Sequence, residues 1–105
     1  MTVLASGKTD IVTDGTSLVL IRNGTPQLSA VTGTGCMLGA LCGVYLTVCP
    51  AMEAASAACV MLGVCGEMAE TEKGSGTFMA NLLDALSTVT DKQLENKMNL
   101  EETAT

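Results

Sequence analysis

Val31-Thr32-Gly33-Thr34-Gly35-Cys36-Met37-Leu38-Gly39-Ala40-Leu41-Cys42 is where the chain changes character. Short segments rich in branched residues precede it, and long apolar stretches at helical spacing follow it. Thr32-Gly33-Thr34-Gly35 is a glycine-rich turn, and Cys36 to Cys49 reads as a helix that is apolar nearly all round, hence expected to be buried. A glycine-rich turn that opens a helix presents free backbone N–H groups at the positive end of the helix dipole. Gly33 and Gly35 would let the backbone approach an oxyanion closely. The N–H groups of Gly33, Thr34, Gly35 and Cys36 are the candidate anion hole for charge developing on a transferred phosphoryl group. Cys36 falls in the first helical turn, a position that favours a thiolate able to take a proton from a hydroxyl. A G-x-G pair is also compatible with a plain strand-to-helix connection and a core cysteine.

Upstream, Val3-Leu4-Ala5 reads as a strand entering a turn at Ser6-Gly7, and Asp10-Ile11-Val12-Thr13 as a second strand closed by Asp14-Gly15. Ser17 to Arg22 is a third, rich in branched residues. Asn23-Gly24 is a strong local hairpin signal. It predicts a return strand from Thr25 to Ala30, held to a sheet edge because Pro26 cannot donate to a ladder. Downstream, Pro50 ends the first helix and can open the next, expected from Ala51 to Glu72, where the alanines, Gly63 and Gly66 suggest close contact with neighbours. Lys73-Gly74-Ser75-Gly76 is a loop. Phe78, Met79, Leu82, Leu83, Leu86 and Val89 then share one helical face. Thr90 with Gln93 makes a capping box and Val89 with Leu94 a hydrophobic staple, predicting a last helix from Asp91 to about Leu100. Glu101 to Thr105 is expected to fray. The predicted strands cannot cover so much apolar helix, which implies a further sheet beyond these residues.

Hydrophobic residues make up 48% of the 105, enough for a core. Aromatics are only 2%, so no platform for stacking bases exists. The net charge is −6 with five scattered basic residues, which argues against a nucleic-acid partner. Five cysteines, no histidine and no C-x-x-C point away from a zinc site or a disulfide framework, and towards reduced thiols in a cytoplasmic core. No metal ligands are singled out. Lys8 and Asp10 interrupt the N-terminus before a signal-peptide core could form. The continuous apolar run from Cys36 to Cys49 is shorter than the roughly 20 residues of a membrane span. Gly7-Lys8-Thr9 lacks the first glycine of a P-loop, and Asn99-x-x-Glu102 sits in a charged tail.

Val31-Thr32-Gly33-Thr34-Gly35-Cys36 resembles the signature loop of hydroxyethylthiazole kinases, members of the ribokinase-like group. The resemblance runs in order along the chain to about Val89. Ser6-Gly7-Lys8-Thr9-Asp10-Ile11-Val12-Thr13-Asp14-Gly15 is similar to the family's T-G-x-x-D-x-V-x-D-G segment, and Arg22-Asn23-Gly24 to its R-N-G hairpin. Gly66-Glu67-Met68-Ala69, Gly74-Ser75-Gly76-Thr77-Phe78 and Leu82-Leu83-Asp84-Ala85-Leu86 match its G-E-x-A, G-P-G-[ST]-F and L-L-D-A-L stretches.

The resemblance implies an α/β fold: the C-terminal portion of a ribokinase-like α/β/α layered domain, with edge strands and a hairpin followed by three or four helices. Residues 1–30 would form strands and hairpin, 31–36 the phosphate loop, 37–100 the helices and 101–105 the tail. It also implies an ATP- and Mg2+-dependent kinase acting on the hydroxyl of 4-methyl-5-(2-hydroxyethyl)thiazole in thiamine biosynthesis or salvage. The family enzymes are homotrimers with substrate between subunits. By that resemblance Cys36 lies near the substrate hydroxyl, where the wider group carries an aspartate, Gly33 contacts the thiazole, and Ser6 contacts ATP. Ser6 replaces the usual threonine and keeps its hydroxyl; Ser75 stands where proline is usual. The family's chains are over twice this long, and their N-terminal half holds the main sheet, much of the thiazole pocket and the acidic residues that handle Mg2+. A phosphomethylpyrimidine kinase-like enzyme, which has a similar G-T-G-C loop, and a non-catalytic fragment that docks on a partner chain are the alternatives.

Overall fold

The computed structural model describes residues 1–31 and 33–104. Three strands form an antiparallel meander in the predicted places: β1 (Val3–Ala5), β2 (Asp10–Thr13) and β3 (Ser17–Ile21). Val12 pairs directly with Val19, and both are buried with Ile21 on one face of the sheet. That face is the first half of the core.

The expected hairpin at Asn23-Gly24 is not formed. Thr25 instead caps a short helix, α1 (Pro26–Ala30), its side chain accepting from the Gln27 N–H. Pro26 suits this place because the first helical position needs no N–H, and threonine is a favoured cap. The edge of β3 is filled from the other end of the chain. β4 (Leu100–Ala104) pairs antiparallel with β3, with Leu100 opposite Ile21. The predicted frayed tail is thus an edge strand, and the last helix stops at Lys97, short of the expected Leu100. Charged residues are compatible with an edge, and Arg22 meets Glu101 there at 3.3 Å.

Between β3 and β4 run α1, α2 (Thr34–Leu46), α3 (Ala51–Ala69), α4 (Ser75–Thr88) and α5 (Asp91–Lys97). The Thr90 and Gln93 capping box is present. α3 is long and apolar enough to cross a bilayer by length and composition alone, but it is the central element of the core. One side, with Ala55, Cys59, Val60 and Val64, packs on Val12, Val19 and Ile21. The other, with Leu62, Cys65 and Ala69, packs on Phe78, Leu82 and Ala85 of α4. Gly63 and Gly66 admit the segment that follows β3. A Cβ at Gly63 would stand 2.7 Å from the Asn23 Cβ and 2.9 Å from its backbone, and one at Gly66 would stand 2.7 Å from a Leu28 methyl.

α2 departs from expectation. It has no buried residue. Met37, Leu38 and Leu41 pack inward and are partly buried, while Val44, Leu46 and Val48 just beyond are 66%, 54% and 78% exposed.

Candidate functional site

A cleft of about 870 Å³ opens between the sheet and the start of α2. Ser6 to Asp10, the turn joining β1 to β2, form one wall. Arg22 to Pro26 with Leu28 and Ser29 form another, and Thr34, Gly35 and Leu38 a third. Cys59, Leu62 and Gly63 of α3 supply the floor.

Each wall has a local cause. The β1–β2 turn is closed by the Gly7 N–H donating to Asp10 Oδ1 at 3.1 Å. Asp10 sits two residues before Val12 and so shares the inner face of the sheet, where the Cys59 thiol neighbours its carboxylate. Burial raises the Asp10 carboxyl above the usual carboxylate range, against the opposing pull of the Gly7 N–H and Cys59. Cys59 is pushed up to about 12, by burial first and then by the Asp10 charge, so its thiol stays neutral and is no nucleophile at ordinary pH.

The α2 wall begins at Gly33, which has φ +98°, a left-handed conformation that glycine adopts without penalty. The Gly33 carbonyl accepts from the Met37 N–H at 3.0 Å, and the Thr34 hydroxyl donates to the Leu28 carbonyl at 2.9 Å, tying α2 to α1. The helix therefore starts at Thr34, earlier than the predicted Cys36. Thr34, Gly35 and Cys36 make its first turn, whose N–H groups have no partner within the helix. A Cβ at Gly35 would meet nothing within 4 Å, so the space over that residue is open.

The third wall rests on Asn23, a polar residue that is only 6% exposed. Its Nδ2 donates to Glu67 Oε1 at 3.2 Å and to the Lys97 carbonyl at 2.7 Å, and its Oδ1 accepts from the Asn99 N–H at 2.6 Å. The Gly24 N–H donates to the same Glu67 oxygen at 2.9 Å.

Of the residues singled out from sequence, Ser6, Thr34 and Gly35 line this cleft. Gly33 and Cys36 do not; Gly33 caps the helix and Cys36 is exposed. Thr32 lies outside the described residues. Sequence reading passed over Asp10, Asn23 and Glu67 as functional groups. The signal for Glu67 was a carboxylate beside Gly63 and Gly66, on the otherwise apolar part of α3.

The backbone matches the structure of a hydroxyethylthiazole kinase from Pyrococcus horikoshii with a TM-score of 0.93 and 34% identity, over 98% of this chain and 41% of that one. The fold is therefore that of the ribokinase-like α/β class. Residues 1–92 match the family model described as the hydroxyethylthiazole kinase family, and the chain belongs to that family. A hydroxyethylthiazole kinase from Natranaerobius thermophilus is 42% identical over 95% of this chain and 38% of its own. Hydroxyethylthiazole kinase 2 from Clostridium botulinum is 36% identical over 93% and 37%. The chain thus spans under two fifths of the length of these two relatives and corresponds to their C-terminal part.

Proposed function

We propose that this chain is the nucleotide-side part of a cytoplasmic kinase that uses ATP to phosphorylate the hydroxyl of 4-methyl-5-(2-hydroxyethyl)thiazole, a step of thiamine biosynthesis or salvage. The observation that carries the reading is the cleft in which Ser6 on the β1–β2 turn faces Thr34 and Gly35 at the start of α2, in a chain of this family. ATP enters this cleft, with the Ser6 hydroxyl on its phosphates. The first-turn N–H groups of α2 and the open space over Gly35 receive the γ-phosphoryl.

Cys36, the third residue of that turn, is exposed and outside the cleft lining, and the acceptor alcohol approaches from its side. There the Cys36 sulfur takes the hydroxyl proton as the alcohol oxygen attacks phosphorus and ADP leaves, while Gly33 lies against the thiazole. Mg2+ would supply charge neutralisation for the phosphates when bound. Among the described residues no cluster of three or more metal-ligating side chains forms, and Asp10 is the one carboxylate on the cleft lining. This chain's described residues therefore do not build a shell for the metal. Homotrimeric assembly belongs to the same proposal.

The first test is ATP-dependent formation of the thiazole phosphate by the purified chain. Cys36→Ala is expected to abolish turnover while ATP binding persists; unchanged turnover removes Cys36 as the base. Gly35→Val is expected to block nucleotide binding without unfolding the chain, because its side chain enters open space rather than protein. Normal affinity in that variant rejects the anion hole.

A second reading has its own observation. The exposed apolar surface of α2 suits a chain that works only when docked on further polypeptide. Product formed only after addition of the N-terminal part of a relative supports this reading. Product from the chain alone rejects it.

A further inference from the structure

The buried knot at Asn23 joins the cleft to parts of the chain that never touch it. Glu67, Lys97 and Asn99 do not line the cleft, whereas Arg22, Asn23 and Gly24 do. We infer that Asn23 is a positioning residue for nucleotide binding, and that through it the C-terminal strand β4 fixes one wall of the site. The inference rests on the proposed nucleotide site and names a residue that holds it in shape.

The segment from Arg22 to Gly24 is gripped from three sides. From α3, Glu67 Oε1 accepts from both the Asn23 side chain and the Gly24 N–H, and the bare face of Gly63 lets the Asn23 backbone sit directly on the helix. From the end of α5, the Lys97 carbonyl takes the other Asn23 amide proton. From the approach to β4, Asn99 closes a pair of bonds: its N–H donates to Asn23 Oδ1 at 2.6 Å, and its carbonyl accepts from the Arg22 N–H at 2.8 Å.

The amide of Asn23 thus spends both of its protons and its oxygen on three separate elements. A carboxamide is the side-chain group of this length that offers two donors and an acceptor. A hydrophobic residue of similar size would take this partner from the Lys97 carbonyl, the Asn99 N–H and Glu67 Oε2, all in part-buried bonds. The family match ends at residue 92, yet the closing bonds come from residues 97 and 99. The last stretch of chain is therefore a working part of the cleft. Misplacing a wall of a phosphate site by about 1 Å is enough to cost on the order of a hundredfold in rate, so the wall's anchor carries a functional load beyond stability.

The test is ATP affinity of the purified chain by titration calorimetry, at a temperature where circular dichroism shows each variant folded. Asn23→Ala and Glu67→Leu are each expected to weaken ATP binding about tenfold. Glu67→Gln keeps an acceptor for the Gly24 N–H and is expected to stay within about threefold of the parent. Asn23→Asp loses its donors to Glu67, and adding Glu67→Gln restores one donor–acceptor pair and is expected to recover part of the lost affinity. Leu82→Val, in the core and outside the cleft lining, is the control for lost stability alone, and its ATP affinity is expected to match the parent. Parental affinity in folded Asn23→Ala overturns the positioning role and leaves the nucleotide site standing. A parent chain that binds no ATP overturns both.

Discussion

α2 and α3 are neighbours in sequence and in space, and both are apolar, but they are treated in opposite ways. α3 buries residues on both of its sides, with Val64, Cys59 and Cys65 at 1% exposure or less. α2 buries none, and Val44 and Leu46 stand in the open at 66% and 54%. Apolar composition states that a helix must be covered. It does not state that the cover lies in the same stretch of chain. For α3 the cover is the meander and α4. For α2 these residues supply a cover on the α3 side alone, and its outer row of Cys36, Gly39, Ala40, Gly43 and Val44 is small enough for another element to approach closely.

The widest gap between the two helices should appear on truncation of large side chains. Phe78→Ala empties a site packed against α3 and is expected to cost about 3–5 kcal/mol, whereas Val44→Ala on α2 should stay within about 0.5 kcal/mol. Urea unfolding of the two variants measures this directly. Comparable losses would mean that the outer face of α2 is covered in solution by another copy of the chain, and the loss at Val44 would then depend on protein concentration.

The glycines sharpen the same contrast with a change of sign. Gly63→Ala on α3 pushes a Cβ to 2.7 Å from Asn23 and is expected to destabilise by about 1–3 kcal/mol. Gly43→Ala on α2 meets nothing within 4 Å and should stabilise by about 0.5–1 kcal/mol through helix propensity alone. If both destabilise, α2 is in close contact with something.

The legible and illegible parts of the sequence divide along this line. The meander was readable because short runs rich in branched residues, closed by Ser6-Gly7 and Asp14-Gly15, are a local signal. So was the capping box at Thr90, whose partners are three residues apart. The start of α2 was readable to within two residues; Ser6, Thr34 and Gly35 line one cleft, and the family pattern rather than the spacing is what had joined Ser6 to the others. The hairpin failed because Asn23 and Gly24 do carry a local turn preference, and a non-local set of bonds outweighs it: hydrogen bonds join these two residues to Glu67, Lys97 and Asn99, more than forty positions away. Strand β4 failed for a related reason. Glu101 and Glu102 show no apolar pattern, and only the unpaired edge of β3, vacated by α1, gives them a place.

The cysteines offer the mildest comparison at neutral pH, since it perturbs nothing in the fold. Cys36 on α2 is exposed, and Cys59 and Cys65 on α3 are buried. A maleimide is expected to modify Cys36 in the native chain and to reach the other two only through unfolding. Burial pushes the Cys59 thiol up to about 12 and the Cys65 thiol up to about 11, against a usual value of 9.0. In the unfolded chain these thiols release their protons near the usual value, while in the folded chain they hold them. Their contribution is thus complete below pH 9 and is lost as pH rises through the folded values. Thermal unfolding between about pH 8 and 11 should therefore show a steady fall in midpoint, reduced in a Cys59→Ala, Cys65→Ala variant. A fall of the same size in the double variant would mean that these two thiols of α3 are not held in a buried place, and the contrast between the two helices would be lost.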